Sequence, residues 1–326
     1  MEFRVSALTA FQRLHSHVTS LIIGQQHLVN RMLLALLCDG HMLVEGAPGL
    51  AKTRAIKVLA GSIEGDFQRL QFTPDLLPAD LTGTEIFRPQ QGTFEFRRGP
   101  LFHNLILADE INRAPAKVQS ALLEAMEERQ VTVSGKTYPL PSLYLVMATQ
   151  NPIEQEGTYP LPEAQLDRFL LHVLVDYPSA EAELDILRLN RAEALGSRGP
   201  RLALAEPVSE ATVQTARKEV LSLHVVEALE QYIIELVQAT RAPGRVSSDL
   251  DGKIDFGASP RAALAIDRAA RARAWLAGRD FVAPEDIQDV APDVLRHRVI
   301  LSYEAEADGL TRDDVVAALL AEVGVP

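Results

Sequence analysis

The chain has 326 residues, of which 47% are apolar, and it carries a formal net charge of −12. This composition predicts one or two domains with a sizeable core, and the negative charge argues against binding nucleic acid over a broad surface, which requires clustered Lys and Arg. No apolar run is longer than that at 32–38, which is far short of the ~20 residues that cross a membrane, and the single cysteine excludes an internal disulfide. Because no secretory signal pattern begins the sequence, we expect a cytoplasmic protein without a membrane span.

Short apolar runs alternate with helical patterns over residues 1–177. Candidate strands lie at 41–46, 67–72, 104–110, 143–151 and 170–177. Several are apolar throughout, which is typical of strands that helices cover on both faces. The clearest helical pattern, at 115–128, has proline in its first turn and an apolar stripe along one face. This alternation predicts an open parallel α/β sheet.

Two stretches interrupt the alternation. Residues 85–99 alternate on each side of Gln91-Gly92, and residues 131–138 do so around Ser134-Gly135. Both patterns predict β-hairpins. One hairpin would be an ordinary surface feature, whereas two in the same half of the chain suggest insertions with a function.

The strand pattern fades after residue 177. Residues 179–196 predict a helix that ends at Gly196, and 197–209 predict a linker. Further helical patterns lie at 210–220, 224–240, 260–277 and 284–297. We therefore predict two domains, an αβα core at 1–177 and a smaller helical domain at 178–326.

Residues 46–53 read GAPGLAKT and nearly match the phosphate-binding loop G-x-x-x-x-G-K-[ST], with Ala51 in place of the last glycine. The segment follows a predicted strand and opens a predicted helix, as the motif requires. Its backbone N–H groups can converge on phosphates, Lys52 can reach the β and γ phosphates, and Thr53 can hold Mg²⁺. Because Gly49 and Ala51 stand two residues apart, we expect a positive φ at Ala51, at a cost of about 1–2 kcal/mol that bound phosphates can offset.

A pair of acidic residues supports nucleotide chemistry. The segment LILADE (105–110) ends a buried strand in Asp109 and Glu110, at the edge of the sheet where ligands bind. Asp109 can hold Mg²⁺ directly or through water, and Glu110 can orient and deprotonate an attacking water. Acidic strand ends are common by themselves, but the phosphate loop upstream makes the functional interpretation the better one.

Three further polar residues have open interpretations. Asn151 ends another buried strand, where its amide can bind a phosphate or a water, or simply form a turn before a proline. Arg168 stands just before the last strand, and Arg261 opens a helix after a predicted Ser259 cap. For either arginine alone, a surface salt bridge is the more common role.

These residues in this order resemble the MoxR family of AAA+ ATPases, over most of residues 20–177 and again at 256–265. The resemblance includes the family's own form of the phosphate loop, with alanine before the lysine, and segments such as ADEINRAP (108–115). It is less distinctive across 178–250 and at the end of the chain. It implies a five-stranded parallel sheet between helices, an all-α lid, and assembly into a ring, usually a hexamer.

The resemblance also implies roles for single residues. Asn151 matches sensor 1 and Arg261 matches sensor 2. Arg168 resembles the arginine finger that is supplied to a neighbouring subunit, and Arg113 is a second candidate for such a contact. The two hairpins match the helix-2 insert and the pre-sensor-1 insert, which face the ring pore or a partner.

The cofactors that follow from these motifs are ATP and Mg²⁺. Lys52 and Thr53 match Walker A, Asp109 and Glu110 match Walker B, and residues 22–24 resemble the segment that packs on adenine. The predicted metal ligands are Thr53 and Asp109. The predicted nucleotide contacts are Ile22, Ile23, Gly24, Gly46, Ala47, Pro48, Gly49, Leu50, Ala51, Lys52, Thr53 and Arg54.

The resemblance implies a chaperone-like machine that acts on a client protein, with a von Willebrand factor A domain protein as partner in trans. A metal-chelatase ATPase subunit is a related alternative. A DNA-acting motor and a nucleotide-gated scaffold with little turnover belong to other classes. The acidic charge disfavours the motor, and the pair Asp109 and Glu110 disfavours the scaffold, which would not need a base.

Overall fold

A computed structural model describes residues 6–152, 157–195 and 203–326 of the chain. The chain divides into two compact units. The larger contains residues 10–169 and 173–213, and the smaller contains 170–172 and 214–326 together with the N-terminal residues through Thr9. The predicted helix end at Gly196 and the first residues of the predicted linker lie outside the described residues.

Eleven strands occur in the described residues, and five of them form the main sheet. The strands are β1 (Met42–Gly46), β2 (Phe67–Gln71), β3 (Gly83–Arg88), β4 (Thr93–Arg98), β5 (Leu105–Asp109), β6 (Gln130–Val133), β7 (Lys136–Pro139), β8 (Leu145–Gln150), β9 (Leu171–Val175), β10 (Ile254–Phe256) and β11 (Ile300–Leu301). The main sheet has the order β2-β5-β8-β1-β9. Strands β2, β5, β8 and β1 pair in parallel. The predicted parallel sheet and all five of its strands are confirmed.

Thirteen α-helices occur in the described residues. They are α1 (Ala7–Leu21), α2 (Gln26–Leu37), α3 (Lys52–Ala60), α4 (Pro78–Thr82), α5 (Ala116–Glu128), α6 (Glu163–Leu166), α7 (Ala180–Ala194), α8 (Glu210–Ser222), α9 (Glu227–Arg241), α10 (Pro260–Leu276), α11 (Pro284–Leu295), α12 (Tyr303–Ala307) and α13 (Arg312–Glu322). Within the described ranges, none combines the length and apolar character that crossing a bilayer requires.

Strand β5 shows why the central strands are apolar throughout. Ile106 and Ala108 pack in one cluster with Val118 of α5. Leu105 and Leu107 are equally buried, although strand alternation directs them to the opposite face. The sheet is therefore covered on both faces at β5, and the first polar side chain of this strand is Asp109 at its end.

The two predicted hairpins are confirmed. Strand β3 pairs with β4 and β6 pairs with β7, both antiparallel. The second hairpin turns at Ser134 (φ 49°) and Gly135 (φ 77°), the two positive φ values of a tight turn. Phe96 of β4 stacks on Tyr138 of β7 with ring centroids 4.2 Å apart, so the two hairpins contact each other.

Helix α7 belongs to the larger unit, so this unit continues past residue 177, the predicted end of the core. Gly24 explains part of this arrangement, because a Cβ there would lie 2.9 Å from the Cβ of Pro178. Arg54 of α3 also donates a hydrogen bond to Glu193 of α7 at 2.5 Å. The division of the protein at 177 remains a prediction.

The smaller unit is helical, as predicted, apart from a short antiparallel pair of β10 and β11. Helices α8, α9, α10 and α11 coincide closely with the four predicted helical patterns. The predicted cap of α10 is also confirmed, since the Ser259 hydroxyl accepts a hydrogen bond from the N–H of Arg261 at 3.2 Å.

A buried carboxylate joins the end of α10 to the start of α11 in this unit. Asp286 is fully buried and accepts hydrogen bonds from the Arg279 guanidinium at 2.5 and 2.7 Å, from the Ala283 N–H at 2.8 Å and from Arg273. Burial alone would raise the pKa of Asp286, but these donors lower it from its usual value. The resulting stabilisation is present above the unfolded-state pKa, ~3.9, and is lost as the pH falls through the lower folded-state pKa.

Asp286→Asn should lower the free energy of unfolding of the smaller unit by about 2–4 kcal/mol at pH 7, because two guanidinium groups lose their buried partner. Trp275 is the single tryptophan of the chain and lies in α10. Its fluorescence during urea unfolding therefore reports on this unit. Asp289→Asn is the matched control, since Asp289 accepts from the same Arg273 but is 39% exposed, and its loss should cost less than about 1 kcal/mol. Equal losses of unfolding free energy in the two variants would contradict the argument that burial makes the interactions of Asp286 the stronger ones.

Candidate functional site

The predicted phosphate-binding loop connects β1 to α3 and contains the positive φ that was predicted for Ala51. Ala51 has φ 60° and ψ 12°, and Gly49 has φ 86°. The expectation of a positive φ at Ala51 is confirmed. Residues that alternate in this way direct successive N–H groups into one concave surface, which suits an anion at the start of a helix.

Lys52 is held at this loop. Its Nζ donates a hydrogen bond to the carbonyl of Gly46 at 2.5 Å. Burial lowers the pKa of Lys52, and the carboxylates of Asp109 and Glu110 oppose that effect. Lys52 therefore lies close enough to interact electrostatically with both acidic side chains, which the sequence predicted to act at the same site.

The predicted phosphate-binding residues, the acidic pair and Asn151 line one cavity of about 360 Å³. It is lined by Pro48, Gly49, Leu50, Ala51, Lys52, Thr53, Arg54, Asp109, Glu110, Thr149, Gln150 and Asn151. Gly46 and Ala47, also predicted to contact nucleotide, precede these residues at the end of β1. A Cβ at Gly46 would lie 2.5 Å from the carbonyl oxygen of Val175, so glycine is required there by the close approach of β9.

A second cavity of about 250 Å³ adjoins the first and shares Gly49, Leu50, Ala51 and Arg54 with it. Its apolar walls include Ile22 and Ile23, the two residues predicted to pack on adenine, and Ile186 of α7. The Arg54 side chain donates to Glu193 in its rim, and this hydrogen bond lowers the pKa of Glu193. The two cavities together would suit a ligand that has phosphates at the loop and a flat base between the apolar walls of the second cavity.

The hydroxyl of Thr149 organises the acidic edge. It donates to Asp109 Oδ1 at 2.6 Å and accepts the N–H of Glu110 at 2.9 Å. Glu110 itself adopts φ 58° and ψ 51°, a conformation that costs a non-glycine residue free energy. Sequence reasoning missed Thr149, although a hydroxyl directly after the four apolar residues that begin β8 was the available signal.

Two residues hold the carboxylate of Glu110. Gln71 Nε2 donates to Glu110 Oε2 at 2.7 Å, and Arg113 Nε lies 3.2 Å from the same oxygen. Arg113, the second candidate for a contact to a neighbouring subunit, thus pairs with Glu110 of its own chain. Its role in trans remains a prediction.

Arg69 binds the other acidic residue. Its Nε and Nη2 lie 3.0 and 2.7 Å from Asp109 Oδ2, and Nη2 also donates to Gln71 Oε1 at 3.0 Å. Sequence reasoning missed both Arg69 and Gln71. The signal was their spacing, because alternate residues of a strand share a face and β2 pairs with β5, the strand that ends in Asp109.

The donors available to a metal are oxygens. The Thr53 hydroxyl and the Asp109 carboxylate line one cavity, and hydroxyl and carboxylate oxygens are the ligands that Mg²⁺ prefers. In the described part of the chain, no group of three or more His, Cys, Asp or Glu side chains is placed to hold a metal ion. The donor set thus fits a Mg²⁺ ion that completes its coordination with phosphate and water, as predicted for nucleotide sites.

The two remaining predicted arginines are not among the residues that line the two cavities. Arg168 Nε pairs with Glu127 Oε2 of α5 at 3.0 Å, and its side chain lines a separate polar cavity with Glu124 and Gln165. Arg261 belongs to the smaller unit, at the start of α10. The roles of both as arginine finger and sensor 2 remain predictions.

Two family models match the chain. The ATPase family associated with various cellular activities (AAA) matches residues 41–171, and an AAA lid domain matches residues 248–319. The first range includes the predicted phosphate-binding loop together with Asp109 and Glu110. The second range begins before Arg261 and covers most of the smaller unit.

Relatives resemble the chain over nearly its whole length. Chaperone MoxR1 of Mycobacterium tuberculosis is 48% identical over 95% of this chain and 80% of its own. Protein MoxR of Methylorubrum extorquens is 31% identical over 97% of this chain and 95% of its own. A crystal structure from Cytophaga hutchinsonii is 46% identical, covers 98% of this chain and 96% of its own, and superposes with a TM-score of 0.90. Together with the AAA core and lid, these similarities show that the chain belongs to the MoxR family of AAA+ ATPases.

Proposed function

We propose that this protein binds ATP with Mg²⁺ in the two joined cavities, hydrolyses it, and uses the free energy to remodel other proteins. The observation that carries the proposal is the convergence of Lys52, Asp109 and Glu110 on the cavity beneath the strained loop. The apolar cavity next to it supports adenine as the base, since Ile22 and Ile23 line it.

The loop and Lys52 bind the phosphates. Backbone N–H groups after Gly49 and Ala51 contact phosphate oxygens, and Lys52 exchanges its hydrogen bond to the Gly46 carbonyl for the β and γ phosphates. Thr53 and Asp109 would hold Mg²⁺, which when bound would supply positive charge next to the transferred phosphoryl group. Asn151 donates its amide to the γ phosphate or to the attacking water.

Glu110 is the proposed base. Gln71 and Arg113 both contact its Oε2, so Oε1 is the oxygen that we expect to accept the proton of the attacking water. Thr149 fixes the backbone N–H of Glu110, which holds the carboxylate at the carboxyl edge of the sheet. This orientation is what general-base catalysis requires.

The remodelling role rests on two supports. A relative with 48% identity is named a chaperone, and the β3–β4 hairpin exposes an aromatic pair, with Phe87 50% and Phe94 67% exposed. The two rings are neighbours, with centroids 5.1 Å apart, and an exposed aromatic pair would suit contact with apolar groups of another protein. A hexameric ring, a cytoplasmic location and a partner with a von Willebrand factor A domain complete the proposal.

Lys52→Ala should weaken ATP binding by about 100-fold or more, because phosphate loses charge-assisted hydrogen bonds worth about 1.5–3 kcal/mol each. Isothermal titration with a non-hydrolysable ATP analogue measures the affinity. Lys57→Ala is the matched control, since Lys57 lies on the same helix α3 and is exposed. It should leave the affinity within about twofold. Normal binding by Lys52→Ala would remove the phosphate role of this lysine.

Glu110→Gln should bind ATP within about threefold of wild type but lose turnover by about 10²–10⁴-fold, because the amide cannot accept the proton of the attacking water. Phosphate release and nucleotide affinity are measured on the same preparation. An equal loss of affinity and turnover would contradict the assignment of Glu110 as the base.

Arg168→Ala should bind ATP normally while turnover falls by about 10³-fold or more, since an arginine finger contributes that much to phosphoryl transfer. Arg88→Ala is the control, because Arg88 is an exposed arginine that also pairs with a glutamate, Glu95. An ion pair of that exposure contributes at most about 1 kcal/mol, so turnover should stay near that of wild type.

Mixing the two inactive variants tests whether Arg168 acts on a neighbouring subunit. An interface between Arg168→Ala and Glu110→Gln subunits can combine an intact Glu110 with an intact Arg168, so the mixture should be more active than either variant alone. If the mixture stays inactive while wild-type subunits diluted into either variant remain active, Arg168 does not act in trans.

A further inference from the structure

We propose that Arg69 is an internal counter-ion of Asp109 that a divalent metal must displace, so that Arg69 raises the Mg²⁺ concentration that nucleotide binding requires. The inference rests on the proposed function, because it concerns the same carboxylate. It assigns Arg69 a role in positioning and competition, not in the chemical step.

The geometry of β2 directs Arg69 to this carboxylate. In the parallel pairing of β2 with β5, Arg69 stands opposite Leu107 and Gln71 stands opposite Asp109. The Arg69 side chain extends two residues along the sheet, where Nε and Nη2 both reach Asp109 Oδ2. The other oxygen, Oδ1, accepts the Thr149 hydroxyl. Both carboxylate oxygens are therefore engaged by the protein itself.

A metal and the guanidinium compete for the same oxygen. A divalent cation that binds Asp109 directly needs a lone pair of Oδ2 or the oxygen that Thr149 occupies, and a positive guanidinium beside it adds repulsion. Thr149 also holds the backbone N–H of Glu110, so displacing its hydroxyl would disturb the proposed base. Arg69 is the partner that can leave while both hydrogen bonds of the Thr149 hydroxyl stay in place.

The exposure of the pair indicates that Arg69 can leave at small cost. Its side chain is 47% exposed, whereas that of Asp109 is 13% exposed. Strand β2 is at the edge of the main sheet, so the guanidinium can return to water without opening the core. Ion pairs with one partner in water contribute little to stability, and a doubly charged ion attracts the carboxylate more strongly than a guanidinium does.

The test compares how much Mg²⁺ each variant needs to bind nucleotide. The full-length wild type, Arg69→Gln and Arg69→Lys are titrated with MgCl₂ in the presence of a fluorescent, non-hydrolysable ATP analogue, and binding is followed by anisotropy. Formation of the metal–nucleotide complex in solution is the same for every variant, so differences report on the protein. A parallel titration of analogue in EDTA measures binding without metal.

Arg13→Gln is the matched control. Arg13 is 46% exposed, almost the same as Arg69, and it also pairs with a carboxylate, Glu206, at 3.1 Å. It removes the same charge from the larger unit without touching the residues that line the two cavities. Its half-saturating Mg²⁺ concentration should equal that of wild type.

We expect Arg69→Gln to lower the half-saturating Mg²⁺ concentration by about 3- to 10-fold, the effect of removing a partly exposed charge next to the metal. Binding in EDTA should stay within about twofold of wild type. Arg69→Lys should lower the half-saturating Mg²⁺ concentration by less, because lysine keeps the positive charge but loses the paired guanidinium hydrogen bonds to Oδ2.

An unchanged or higher Mg²⁺ requirement in Arg69→Gln would overturn the inference, since Arg69 would then orient Asp109 for the metal and not compete with it. Far-UV circular dichroism establishes whether that variant folds. If it does not, an unchanged requirement in Arg69→Lys overturns the inference equally. Wild type that binds no nucleotide with or without Mg²⁺ would overturn the proposed function as well, which separates the two failures.

Discussion

One hydroxyl group fixes the edge of the sheet on which the site depends. Thr149 Oγ1 joins the ends of β5 and β8, donating to Asp109 and accepting from the N–H of Glu110. It is 1% exposed, so both hydrogen bonds are protected from water. Hydrogen bonds are electrostatically stronger in the protein interior than in water. Without this bridge the side chain of Asp109, the proposed metal ligand, and the backbone of Glu110, the proposed base, would lose their shared hydrogen-bond partner on β8.

Two residues of the site store backbone strain, one on each side of the cavity. Ala51 and Glu110 both adopt left-handed conformations, which cost about 1 kcal/mol or more for side chains other than glycine. The parallel sheet maintains both, because β1 and β5 are anchored by fully buried neighbours and leave the two turns little freedom. Strain of this kind is concentrated where a ligand contacts the backbone, and here it orients N–H groups at one side and a carboxylate at the other.

The sequence predicted the parts of the site that follow one another along the chain and missed the parts that meet only in space. Apolar runs located all five strands, and motif spacing located Lys52, Asp109 and Glu110. Arg69 and Gln71 escaped because a polar residue on an edge strand is ordinary until its neighbour strand is known to end in a carboxylate. The pairing of Arg168 with Glu127 escaped for the same reason, since it joins a loop to a distant helix. The membership of α7 in the larger unit depended on contacts such as Arg54 with Glu193, which no periodicity encodes.

The stack of Phe96 on Tyr138 has a mechanical consequence. It couples the β3–β4 hairpin to the β6–β7 hairpin, and β6 begins two residues after α5 ends. Helix α5 has 13 residues, about 20 Å of rigid rod, and its other end begins three residues after Arg113, which holds Glu110. A displacement of either hairpin would therefore act on one end of this rigid helix, whose other end begins next to the residues that hold Glu110, the proposed base.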